Sequence, residues 1–391
     1  MMENKYSPSV DGDFDYIILG AGCAGLSLLM RMIDSGKFAD KKILLIDKEE
    51  KTKNDRTWCF WEKEKGLFEP IVFCEWEDLV FRTDSFSSLL DIQPYKYKMI
   101  RGIDFYSYCF KKIKQQSNIE IKYEEIKSVQ QENGQINISL AGETINAGEA
   151  IVFNSLFRPG EKRNNKFYLL QHFRGWKIET EQEVFNPGVA TLMDFRVHQD
   201  YGTSFVYVLP FNEKEALVEY TLFTDSLLKK EQYEIELKDY VNNFLHIDSF
   251  KVAAEEFGVI PMTNERFHFF KKGVYNIGTA GGQTKASTGY TFQFIQKQAD
   301  AIVSCLINNR DFAPLKFYPK RFHFYDSTLL HLLANGELGG KEIFGRLFNK
   351  NKASQIFKFL DNETSPGEEL KIMSTLQIGT FFKAGAKEFF K

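Results

Sequence analysis

Asp15-Tyr-Ile-Ile-Leu-Gly20-Ala21-Gly22-Cys23-Ala24-Gly25 is the stretch on which the fold turns. A short apolar strand runs into glycines spaced G-x-G-x-x-G. Apolar residues at helical spacing then follow from Ala24 to Ile33, until Ser35-Gly36 stops them. In such a turn the first glycine makes the tight bend, the second lets a pyrophosphate approach the backbone, and the third lets helix and strand pack closely. The helix start offers unpaired N–H groups and a positive dipole end to phosphate. Gly20, Ala21, Gly22 and Gly25 are therefore expected to touch a dinucleotide. Lys42-Ile-Leu-Leu-Ile-Asp47 is a second buried strand, whose terminal Asp47 is placed to accept the ribose hydroxyls of an adenosine. Strand, helix and strand of this kind predict a parallel sheet covered on both faces.

Further along, a helix is predicted over Ile103–Gln115. Short alternating strands follow at Ile119–Tyr123, Ile126–Gln131 and Ile136–Leu140, with a hairpin turn at Glu132-Asn133-Gly134. Ala150-Ile-Val-Phe153 is one more buried strand. From Lys166 to about Met262 the pattern is strand-rich and aromatic, as expected of a separate antiparallel sheet. Val274-Tyr-Asn-Ile-Gly278 returns to the parallel type, and a helix is predicted from Tyr290 to Leu306. Between them, Gly278, Gly281, Gly282 and Gly289 favour close ligand approach and a second cluster of backbone donors. The carbonyls of a flavin need such donors and a simple NAD domain does not. FAD is thus the expected cofactor, with Gly278, Gly281, Gly282, Thr288 and Gly289 in contact.

The expected architecture is α/β: a Rossmann-like FAD-binding domain with an interleaved antiparallel-sheet substrate domain and a helical C-terminal region. Residues 14–165 form the first part of the FAD-binding domain, 166–265 the substrate-binding sheet, 266–310 the closing part, and 311–391 the helical region. A net charge of −3 gives no reason to expect a nucleic-acid partner. The five cysteines are dispersed with no Cys-x-x-Cys pair, which reads as reduced thiols, and the six histidines show no ligand spacing, so no metal site is expected. Met1 to Asp13 is polar with no apolar signal core, and Tyr16 to Met30 is too short and glycine-rich to span a bilayer. The 38 phenylalanines imply a large apolar pocket, a membrane-touching surface, or both.

Beyond the glycine loop, several stretches together resemble the bacterial flavoprotein lycopene cyclases of carotenoid biosynthesis. They are Asn54-Asp-Arg56-Thr-Trp58-Cys-Phe60-Trp61, Gln171-His-Phe173-Arg-Gly175-Trp176, Leu192-Met193-Asp194-Phe195, Phe205-Val-Tyr207-Val-Leu-Pro210, Ala216-Leu-Val-Glu219-Tyr-Thr221 and Gly258-Val-Ile-Pro261-Met262, followed by the loop from Gly278 to Tyr290. Their order and spacing match from about residue 14 to the end of the chain. Two departures stand out. The acidic segment carries only Glu219, with Tyr220 beside it where relatives often have paired acids, which counts against a two-carboxylate mechanism. Gln283-Thr-Lys-Ala-Ser287 stands where many relatives carry a His-Pro stretch.

The resemblance implies a lycopene β-cyclase, of intramolecular lyase or isomerase type. A linear ψ-end of lycopene is protonated, closes through a carbocation and loses a proton, giving γ-carotene and then β-carotene. FAD must be reduced but is not consumed, NAD(P)H is the reductant, and Arg56 joins the cofactor contacts. Protonating an alkene needs a neutral carboxylic acid, and burial raises a glutamate pKa. Glu219, at the end of an apolar run, suits that role, although a strand-end carboxylate is also common on a surface. Phe173, Trp176, Met193, Phe205, Tyr207 and Pro210 are the expected pocket wall. Aromatics paired with lysines from Ile343 through Phe381-Phe382-Lys383 to Phe389-Phe390-Lys391 fit a helical cap, with peripheral membrane contact by the last helix of a cytoplasmic protein. The rival readings are a redox flavoprotein, such as an isoprenoid reductase or aromatic monooxygenase, and a non-catalytic membrane-associated flavin-binding protein.

Overall fold

The computed structural model describes residues 9–11, 13–158 and 166–389; most of the polar N-terminal stretch and the final Phe390-Lys391 lie outside the described residues. Tyr16–Leu19, Ile43–Asp47, Ile119–Tyr123, Ile151–Asn154 and Val274–Asn276 form a parallel sheet, with Phe270–Lys271 added antiparallel at one edge. The sequence explains why these strands are apolar throughout. Ile18 and Leu45 face a core shared with the helices Cys23–Ser35, Gly102–Ile113 and Phe292–Ile307. Ile17, Leu19, Leu44 and Ile46 face a second core beneath the hairpin strands Ile126–Glu132 and Gln135–Leu140. Both faces are covered, so alternation disappears. Ile119–Tyr123, read with the alternating strands, instead closes this parallel sheet beside Ile43–Asp47.

A seven-stranded sheet forms the second layer system. Its order is Lys251–Thr263, Tyr168–Glu179, Glu215–Thr224, Thr203–Pro210, Val189–Asp194, Asp78–Arg82, Ser87–Asp91. The last two strands come from early in the chain, so this sheet draws on residues outside 166–265. The stretch expected to be all strand also contains a helix, Lys230–Asn243, whose buried Tyr233, Leu237, Tyr240 and Val241 show helical spacing. That helix covers one face of the sheet, packing on Trp176, Ile178, Val206, Val218 and Leu222. The opposite face carries Leu169, Phe205, Tyr207, Leu217 and Phe223. It packs against the small sheet of Thr57–Glu62, Lys96–Arg101 and Cys74–Trp76 and against C-terminal helices through Leu330, Phe344, Leu347 and Phe357. Five helices between Lys320 and Phe389 make up the described C-terminal region, as its composition predicts.

Candidate active site

One row of residues crosses the inner face of the large sheet. Gly175 pairs with Glu219 on one side and with Glu256 on the other, and Tyr207 lies opposite Glu219 on the next strand. Gly175 matters because a Cβ there would come within 2.9 Å of Glu256 Cγ and 3.0 Å of Leu217 Cδ1. A side chain at that position would divide the two carboxylates. The second acid that the segment around Glu219 lacks stands instead on a different strand. A signal for it was present: Glu256 precedes Gly258 by two, so both face the same side of their strand.

The Thr57–Glu62 strand closes over this row. Thr57 Oγ1 donates to Glu256 Oε2 at 2.7 Å, and Thr221 Oγ1 donates to Glu219 Oε1 at 2.8 Å. Glu256 Oε1 is buried without a donor, and no cation pairs with either carboxylate among the described residues. Burial, followed by the neighbouring charge of Glu256, pushes Glu219 well above the ordinary carboxylate range; the Thr221 hydroxyl opposes this only partly. Burial also raises Glu256, against the hydrogen bonds from Thr57 and Glu219. Two carboxylates this close cannot both ionise cheaply, so they titrate as a pair that retains a proton. Cys59, Tyr97, Tyr290 and Tyr207 cluster beside them, Tyr97 and Tyr207 buried and Cys59 and Tyr290 half-buried. Burial raises the Cys59 thiol first, and the charges of Glu219 and Glu256 raise it further. Thr57, Cys59, Tyr97 and Tyr290 are site residues that sequence reasoning did not assign.

The expected wall residues divide between the two faces. Phe173, Phe205, Tyr207 and Met193 lie on the Glu219 side: Phe205 and Tyr207 stack edge-on at 5.3 Å, and the Phe173 ring lies over Gly258. Trp176 does not join them. Strand alternation turns it to the other face, where it packs on Phe250. Pro210 also departs from the row, three residues beyond Tyr207 and opposite Ala216, with its carbonyl accepting the Trp76 indole N–H at 3.1 Å.

The glycine loop has the shape that its sequence implies. Gly20 has φ +97°, and a Cβ there would lie 2.4 Å from Ser155 Oγ. A Cβ on Gly25 would sit 2.0 Å from the Gly20 carbonyl oxygen, so the helix can pack this closely only without one. Gly22, at the helix N-cap, faces open space, with nothing within 4 Å of where a Cβ would stand and no acid in the first helical turn. Asp47 accepts the Ala21 N–H at 2.6 Å and pairs with Lys51 at 3.0 Å, so the carboxylate also braces the loop. Gly278, at φ +61°, meets Ala24 across the interface, which brings the second glycine turn against the first. Gly281 packs on the Asn276 carbonyl and Gly282 on Phe267. Gly289 packs against Gln171, and Gln171 Oε1 and Thr288 Oγ1 are both buried without a partner. The Arg56 guanidinium is exposed at the loop edge, 3.9 Å from Asp55. An open anion cradle beside orphaned polar atoms fits a dinucleotide running from Asp47 toward Tyr290. Among the described residues no group of three His, Cys, Asp or Glu side chains has the arrangement of a metal site.

The fold is that of flavoproteins. A geranylgeranyl bacteriochlorophyll reductase-like protein from Thermoplasma acidophilum superposes with a TM-score of 0.58 at 13% identity, covering 95% of this chain and 98% of its own. A flavoprotein/dehydrogenase from Cytophaga hutchinsonii gives 0.63 at 11%, covering 96% and 99%. The p-nitrophenol 4-monooxygenase PnpA from Pseudomonas putida DLL-E4 gives 0.58 at 11%, covering 95% and 98%. No curated protein sequence matches the chain. The family model for lycopene cyclase protein, however, matches residues 15–385. The chain belongs to the lycopene cyclase family.

Proposed function

We propose that the protein is an FAD-dependent lycopene β-cyclase that closes the ψ-ends of lycopene by acid/base chemistry without net redox change. The observation that carries this reading is the adjacent, half-buried Glu219–Glu256 pair, without a cation partner among the described residues and set among Phe173, Phe205 and Tyr207. Neutral Glu219 donates its proton to the terminal alkene. The ring cation that results faces aromatic rings worth about 0.5–2 kcal/mol each. The neighbouring Cys59 thiol is held protonated by its surroundings and so does not trap it. The carboxylate pair then takes up the proton that the ring releases and exchanges it with solvent before the next turnover, so the cycle ends as it began.

Gly20, Ala21, Gly22, Gly25, Asp47 and Arg56 hold the adenosine diphosphate half of FAD in this proposal, and Gly278, Gly281, Gly282, Thr288 and Gly289 hold the flavin half. Reduced FAD supplies negative charge beside the cationic end group, with NAD(P)H as the reductant. No helix among the described residues is long and apolar enough to cross a membrane. The helix Ile378–Phe389 exposes Ile378 and Phe382 beside Lys383, and we assign it peripheral contact with the cytoplasmic face of a membrane.

Anaerobic incubation with lycopene liposomes and chemically reduced FAD is expected to yield γ- and β-carotene by chromatography. A hydrogenated polyene, or a hydroxylated one in a parallel incubation with O₂ and NAD(P)H, would replace this reading with the redox one. Glu256→Gln provides a finer check. The negative charge of Glu256 raises Glu219, so its removal lets Glu219 lose its proton at lower pH. The alkaline limb of the pH–rate profile is expected to move acidward, with about a tenfold or greater loss at neutral pH and unchanged flavin content. A limb that stays in place would separate Glu256 from the chemistry.

A further inference from the structure

A second cavity lies away from the carboxylates, among the C-terminal helices. Its volume is about 690 Å³, and its wall is almost entirely carbon. Leu329 of the helix Lys320–Ala334, Leu347 of Gly340–Lys350, Phe359 of Ala353–Leu360, and Phe381 and Ala386 of Ile378–Phe389 all line it. At its inner end stand Thr288, one residue before Gly289 and two before Tyr290, and Phe344. The Phe344 ring lies 6.3 Å from that of Phe223, on the sheet face that carries Glu219. Phe223 and Glu219 share one strand and one face four residues apart, so about 13 Å of extended chain separates the carboxylates from this inner end. Phe173 and Thr221 form the row between them. At the outer end, Leu370, Ile378 and Phe382 are 70%, 63% and 74% exposed.

We infer that this cavity holds the unreacted length of one linear polyene hydrocarbon. In this arrangement the end group sits at Glu219 and Glu256, the chain passes Phe173 and Phe223, and the remainder enters between the last two helices. The inference rests on the proposed cyclase reading and adds the path of the substrate. A hydrocarbon is the occupant that the wall selects, because burying a polar group here without a partner costs a few kcal/mol while each buried CH₂ contributes about 0.8 kcal/mol. The helix Ile378–Phe389 is a wall able to part. It is latched to Lys320–Ala334 at its far end by His331 with Glu388 at 2.8 Å and to Glu337 through Lys387 at 2.9 Å, while exposed Ile378 and Phe382 stand at and near its start.

The test pairs two substrates that share one end group: lycopene and an acyclic polyene of half its length. Ala386→Trp fills the cavity from one side, and Leu329→Trp fills it from the facing helix. Both variants are checked for flavin content and melting temperature. Each is expected to slow cyclisation of lycopene at least tenfold while leaving the short polyene within about twofold. Equal slowing of both substrates, or of neither, by whichever variant folds would overturn the assignment. Retention of lycopene by detergent-solubilised protein is measured alongside turnover. If the parent protein cyclises neither substrate, the cyclase reading fails, and retention decides the cavity by itself. Lycopene held by the parent and lost in the variants keeps a polyene site; equal retention removes it.

Discussion

Replacing Glu219 by glutamine is expected to reduce ring formation by about a thousandfold or more while the purified protein keeps its flavin. General acid catalysis by a positioned side chain typically contributes about 10²–10⁴ in rate, and the acid that remains, Glu256, stands on a different strand across Gly175. Glutamine preserves shape and still accepts the Thr221 hydroxyl, so the sheet row around Gly175 is undisturbed. The same substitution is expected to stabilise the protein. Both carboxyls have folded-state pKa values above their ordinary range, so the folded chain binds protons more tightly than the unfolded one. Their ionisation therefore costs stability as pH rises from the unfolded value toward the folded one, and the full cost persists above that. Glu219→Gln should raise Tm at pH 8 by about 2–4 °C for each kcal/mol relieved, with the difference disappearing near about pH 4. A variant that loses activity and is destabilised at every pH would mean a structural glutamate.

The second large effect is expected at Gly22. Its backbone is extended, at φ −87° and ψ −170°, and nothing lies within 4 Å of the position a side chain would take. Valine there should leave the melting temperature of the flavin-free protein unchanged, because β-branched residues accept such a conformation. Its methyl groups would occupy the space into which the pyrophosphate must come, so FAD affinity is expected to fall about a hundredfold, or about 2.7 kcal/mol. Gly25→Ala is the contrasting control. A Cβ 2.0 Å from the Gly20 carbonyl oxygen must push the helix off the strand, so that variant should lose stability with or without flavin. A Gly22→Val protein that binds FAD at parental strength would place the cofactor elsewhere.

Much of this was legible in sequence because it rests on local rules. The glycine loop, the two strands around it and the helix ending at Gly36 follow from spacing and steric permission alone, and the late glycines similarly announced a close approach. The helix Lys230–Asn243 is hidden among strands because three of its four buried residues, Tyr233, Tyr240 and Val241, are of types that also favour strands, on an otherwise charged surface. Trp176 shows a different limit: its neighbours suit a pocket, but a strand presents alternate residues to opposite faces, and only the register says which face holds the site. Glu256 was missed for a related reason. It lies 37 positions from Glu219 and meets it only because both strands flank Gly175. The helix expected from about Tyr290 begins at Phe292, which leaves Tyr290 just ahead of it beside Tyr97 and Tyr207.

The most direct test of the central claim is the mass of the product formed in heavy water. Anaerobic turnover of lycopene in D₂O with reduced FAD should add one deuterium for each ring closed. The solvent-derived proton on Glu219 becomes a C–D bond, a C–H proton leaves, and the flavin spectrum remains that of the reduced form throughout. A cyclised product without deuterium would contradict acid catalysis by the pair. A product heavier by two hydrogens, with flavin oxidised in proportion, would contradict a non-redox cyclase altogether.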